Sequence, residues 1–184
     1  MERAFFLRAD DWGIRAVRKG NFMKGPQGFA MFVNIGMNIV LGVLITICFD
    51  FTLQAMIGVP FVTPEVVIGT IISSFCVGFT AGTLVPAMDW GMKLAGALKV
   101  KPGGVGMHIC CSVMLGLCMG VCITVGNFLI ADLGTKGLGG AVADITMAMP
   151  IIVAYAIVFV LIFLKPVQIL GAKVSGFDPS NPGA

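Results

Sequence analysis

Four apolar runs constrain this chain more than any other feature. They lie at roughly Phe29–Phe49, Val66–Met88, Met107–Ala131 and Ala141–Leu164. Each is about 20 residues long, the length a helix needs to cross the hydrocarbon core of a bilayer. With 58% hydrophobic and 11% charged residues, the chain cannot cover itself with a solvated surface; soluble domains carry about 25% charge. A mean hydropathy of +1.00 agrees. The expected fold is all-α: a polytopic integral membrane protein with four transmembrane helices and lipid as its solvent. The net charge of +3 is small and scattered, which argues against a nucleic-acid partner.

The segments between the runs read as connections. Asp50–Glu65 contains Pro60 and Pro64, Asp89–Gly106 contains Lys93, Lys99, Lys101 and Pro102, and Asp132–Gly140 is rich in glycine. Residues 1–26 read as an N-terminal amphipathic helix lying in the membrane interface. Phe5, Ala9, Trp12 and Ala16 share one face, and Arg8, Arg15, Arg18 and Lys19 cover the other. Gly20, Gly25 and Pro26 are expected to end it. With acidic residues at Glu2, Asp10 and Asp11 and no apolar run of sufficient length, this stretch is not expected to be a signal peptide. Residues 27–101 then form a first transmembrane hairpin, 102–174 a second, and 175–184 an irregular cytoplasmic tail.

The third run carries a small, polar stripe at every fourth residue: His108, Ser112, Gly116, Gly120 and Thr124. The first run carries Asn34, Asn38, Gly42 and Thr46 at the same spacing, and the second adds Ser74, Gly78 and Gly82. Residues four apart share a helix face. Glycines there permit close helix contact, and each hydroxyl or amide in hydrocarbon needs a partner. Two readings stay open for the polar seam of Asn34, Asn38, Thr46, His108, Ser112 and Thr124. It is either a set of interhelical hydrogen bonds or the lining of a path or pocket. Glycine on the same stripes favours contact over an open pore.

The chain also repeats itself. Asn38-Ile-Val-Leu-Gly42 aligns with Ser112-Val-Met-Leu-Gly116, and Lys93-Leu-Ala-Gly96-Ala97 with Gln168-Ile-Leu-Gly171-Ala172. The unit is a hairpin of two spans, so the halves are parallel tandem repeats. A pseudo-two-fold axis between them leads to the expectation that the first and third spans pack directly, through Asn38–Gly42 and Ser112–Gly116. In this layout, with Pro86 followed by Lys93 and Lys165 beside Pro166, the chain resembles small bacterial membrane proteins that carry two tandem copies of a helical-hairpin domain of unknown function. The resemblance implies a fold and a membrane location. It implies no catalytic or binding residue.

Chemistry is sparse. No charged residue lies near the middle of a run, which disfavours ion-coupled pumping. Asp89 and Lys93 suit an i,i+4 pair, and Asp144 suits a helix N-terminus. Pro150 should kink the fourth run, with the Thr146 hydroxyl solvating the loosened turn. His108 with the soft sulfur ligands Cys111, Cys118, Cys122, Met114 and Met119 invites a copper(I) reading, but these residues do not converge on one face of the helix, so no metal or other cofactor is expected. No nucleophile–base pair points to an enzyme. The classes left are a small oligomeric channel- or transporter-like protein and a non-transporting accessory or scaffold subunit of a larger membrane complex. The expected partners are membrane lipid and either further copies of the chain or other subunits.

Eleven of the twelve Lys and Arg residues lie in the N-terminal arm, the central connection and the C-terminal flank, and Lys136 is the exception. Basic residues stay on the cytoplasmic side. The expected location is the cell membrane, multi-pass, with both termini cytoplasmic. Reporter fusions after Lys24, at Lys101 and after Lys173 should therefore report cytoplasm, and one at Gly137 the opposite side. Opposite locations for the two termini would refute the four-span count.

Overall fold

The computed structural model describes residues 24–57, 63–101 and 104–177. The interfacial helix expected over 1–26, apart from its last residues, lies outside them, as does the tail beyond Phe177. The described residues form α1 (Gly25–Ile57), α2 (Pro64–Leu84), α3 (Ala87–Ala97) and α4 (Val105–Ser175), with no strand among them. Three of these helices are long and apolar enough to cross a membrane.

At 1.5 Å per residue, the 71 residues of α4 would span about 107 Å if straight, against about 30 Å of hydrocarbon. The helix is in fact two arms, 105–136 and 138–175, divided at Gly137 with φ 68° and ψ 179°. That region is open essentially to glycine alone. The near and far arms run antiparallel: His108 meets Leu161, and Gly120 meets Val153. The Asp132–Gly140 segment is thus helical to both sides of one residue, not a loop. Asp132 is buried, and Lys136 pairs with it at 3.3 Å and with Asp144 at 2.5 Å. The acid expected to serve a helix N-terminus is held by a lysine instead.

Two other connections are helical in part. Gly25 and Pro26, expected as breakers, open α1, because proline in the first turn sacrifices no hydrogen bond. This helix runs past Phe49 to Ile57, carrying Asp50 inside it. Thr63 in extended conformation and Pro64 start α2. The central connection contains α3, whose buried residues Ala87, Gly91 and Ala95 form a stripe facing the bundle. A Cβ on Gly91 would lie 2.6 Å from the Cys111 Cα, so the backbones of α3 and the near arm touch there. Among the described residues no ion pair joins Asp89 to Lys93. Pro150 sits in helix without any non-helical φ/ψ, and Thr146 bonds its own preceding turn at Val142 O, 2.8 Å away.

The rods pack as an up-down-up-down bundle. α1 lies against α2, α2 against the near arm, the near arm against the far arm, and the far arm back against α1. At the terminal end Phe29 meets Phe177 at 5.8 Å. Met37, Leu41, Ile45, Met119, Ile123, Ile152, Ala156 and Val160 fill the centre. The residue distribution is the reverse of a soluble helix. In α2 the buried residues are Ser74, Gly78 and Ala81, whereas Ile68, Ile72 and Leu84 are 58–76% exposed. On α2, a small face toward the bundle and large apolar side chains outward suit lipid.

The glycine stripes do not join the first span to the third. A Cβ on Gly116 would lie 2.6 Å from Ile157 Cα in the far arm, and one on Gly42 would meet Ile71 O and Ser74 in α2. Each seam faces the next helix of its own hairpin. Antiparallel neighbours joined by a short turn can bring backbones together along their whole length, whereas α1 and the near arm meet through larger side chains such as the Phe49–Phe128 pair. Gly116→Ala should therefore lower stability in detergent by roughly 1–3 kcal/mol through overpacking. Gly96→Ala, whose Cβ would meet nothing within 4 Å, should leave stability unchanged or slightly raised.

Candidate functional site

The structure divides the polar seam of the sequence into three separate sets. Asn34 and Asn38 join α1 to α2. Asn34 Nδ2 donates to Phe79 O at 3.3 Å and to Thr83 Oγ1 at 3.1 Å, and Asn38 Nδ2 donates to Asn34 Oδ1 at 2.7 Å. Both amides sit in glycine notches. A Cβ on Gly82 would strike Asn34 Oδ1, and one on Gly78 would strike Asn38 Oδ1. Asn38 is fully buried, and its Oδ1 has no conventional donor. The bare Gly78 backbone beside it is placed for a weak Cα–H···O contact.

His108 and Ser112 form the second set, on the face toward the far arm. His108 Nε2 lies 3.2 Å from Leu161 O, and Ser112 is fully buried with its hydroxyl unbonded. Gly116 and Gly120 continue that contact.

Thr46 and Thr124 belong to the third set, which surrounds a cavity of ≈ 430 Å³ at the end of the bundle where the two hairpins turn. Asp50, Thr70, Ser73, Ser74 and Asn127 supply the rest of its polar wall, and Phe49 and Phe128 its aromatic wall. Ile45, Ile123 and Ile152, all at most 5% exposed, form the floor. Below them Leu41, Met119, Ala156 and Val160 close the bundle toward the terminal end. Within one chain the cavity is closed on that side by this apolar layer.

Asn127 organises that wall. Its Nδ2 donates to Ser74 Oγ at 2.6 Å, and its Oδ1 accepts from Ser73 Oγ at 2.7 Å. One amide thus bridges two hydroxyls across the α2–near-arm boundary. The residue lies three positions after Thr124, on the same helix face, and that spacing was its only signal in the sequence. Asp50 was missed because it was read as the start of a loop. Thr52 bonds Tyr155 at 2.7 Å on the far side of α1, tying it to the far arm.

No group of three or more metal-ligating side chains converges among the described residues, and all six cysteines are free thiols. No family model, curated protein or solved structure matches the chain. Interhelical hydrogen bonds of this kind average about 0.6 kcal/mol and reach about 1.7. A double-mutant cycle of Ser74→Ala and Asn127→Ala should give a coupling in that range, read from thermal unfolding in detergent. Strict additivity would show that the bridge contributes nothing.

Proposed function

We propose that this chain is a small channel- or transporter-like membrane protein that admits a small solute into the vestibule at its hairpin end. The cavity carries the reading. Helix packing alone does not call for a carboxylate facing this volume, and Asp50 faces it with no ion-pair partner among the described residues. Buried polar groups in lipid are otherwise confined to helix contacts or to water-lined paths. A volume of ≈ 430 Å³ lies in the range of small-molecule pockets, about 300–1,000 Å³. The role needs no covalent chemistry. The apolar floor makes passage through one chain depend on movement of the helices or on assembly with further copies.

We read the bundle as two tandem hairpins. Gly42 contacts the helix that follows it and Gly116 the helix that follows it, which supports the internal repeat. In this reading the vestibule opens on the side opposite the termini, as the basic residues favour.

The test is water access. In a background without native cysteines, Ser73→Cys places a thiol in the vestibule wall. A membrane-impermeant thiosulfonate should modify it readily, and Cys at Ile72, exposed on the bundle exterior, should remain protected by lipid. Protection at both positions would remove the vestibule and favour an accessory subunit.

A further inference from the structure

The vestibule has a definite electrostatic sign, set by where its protons point. Thr124 Oγ1 donates to Gly120 O at 2.7 Å, and Thr70 Oγ1 to Val66 O at 2.9 Å. Both hydroxyls have committed their hydrogens to their own helices and present oxygen lone pairs to the cavity. The Asn127 amide donates to Ser74 and accepts from Ser73, so its own polarity is largely internal to the wall. Asp50 adds a half-buried carboxylate with no hydrogen-bond or ion-pair partner among the described residues.

Phe49 and Phe128 also line the space, their rings 6.3 Å apart at 89°. Aromatic faces attract cations. Among the described residues, no Lys or Arg lines the cavity. Lys136, the one basic residue at that end of the bundle among the described residues, is engaged by Asp132 and Asp144.

We propose that the vestibule is a binding site for a small organic cation of the ammonium class, with Asp50 as its counter-charge. The proposal rests on the vestibule reading above and names its ligand. Size separates the organic cation from a bare metal ion. A water occupies about 30 Å³, an order of magnitude less than this cavity. Hard divalent ions also need six or more oxygen ligands at short range, and here one carboxylate faces a wall that is largely apolar. An ammonium with hydrocarbon substituents uses every part of the wall: the carboxylate, the lone pairs, the ring faces, and Ile45, Val66, Ile123 and Ile152.

Choline and its uncharged isostere 3,3-dimethylbutan-1-ol are suitable probes, added to the full chain purified in mild detergent, with thermal unfolding as the readout. Choline should raise the melting temperature saturably, and the isostere should not. Asp50→Asn should weaken the choline midpoint by roughly tenfold or more, as expected on removing one member of a desolvated charge pair. Asp50→Glu should restore part of it, and Glu65→Gln, at an exposed position, should leave it unchanged. Equal stabilisation by the isostere, or a choline effect indifferent to Asp50→Asn, would overturn the assignment.

Should Asp50→Asn fail to fold, the Ser73→Cys chain decides. Choline but not the isostere should slow its modification by the thiosulfonate, and equal rates would refute the proposal. Ready modification with no choline effect in either assay rejects the cation and keeps the vestibule. No modification at all rejects both.

Discussion

Close backbone approach at glycine is the interaction on which the rest of this bundle depends. Lipid tails are as apolar as leucine, so burying leucine between helices gains little in a membrane. What lipid cannot supply is dense contact between backbones and hydrogen bonds across the seam. Gly91, Gly116 and Gly120 provide the first, while Gly78 and Gly82 open notches that seat the amides of Asn38 and Asn34. Asn34, whose amide crosses to Phe79 and Thr83 from the notch of Gly82, provides the second in the same place.

These tight seams also explain where the empty volume lies. The glycine contacts of α1 with α2 concentrate around Asn34, Asn38 and Gly42, toward the terminal end and the middle. Beyond Gly42 the same helix turns Ile45, Thr46, Phe49 and Asp50 toward its neighbours, and larger side chains hold the rods apart. The vestibule is therefore a product of residue size along α1. Its polar wall follows from the same geometry, since hydroxyls freed from interhelical contact must face their own carbonyls, Asn127 or the cavity.

The general architecture was legible in the sequence because run length and charge deficit each point to membrane helices independently. The stripes were legible as faces, at a spacing of four. Their partners were not. A stripe states which side of a helix is small, but Gly116 could face α1 or Ile157 with the same sequence. A pseudo-two-fold axis points to the first span, but each stripe meets its hairpin's own second arm, which is joined to it and antiparallel. The connections were misread for a different reason. Asp50, Asp132 and Lys136 look like loop residues by polarity, yet pairing or cavity exposure lets them continue a helix. Asn127 stood alone in an apolar run, and only the opposing Ser73 and Ser74 give it meaning.

The turn at Gly137 bears on how such a chain enters a bilayer. With one residue between the near and far arms, there is no flexible tether to thread across ahead of the fourth rod. In a bilayer, the two arms would cross most readily together, as one hairpin. The ionised groups at its tip are Asp132, Lys136 and Asp144, and together they carry a single net negative charge. An isolated charge at the centre of a bilayer is costly, whereas a lysine clasped between two carboxylates crosses as a partly neutralised cluster. Formed early, the contacts that fix the turn in the finished fold would also lower the cost of carrying it across.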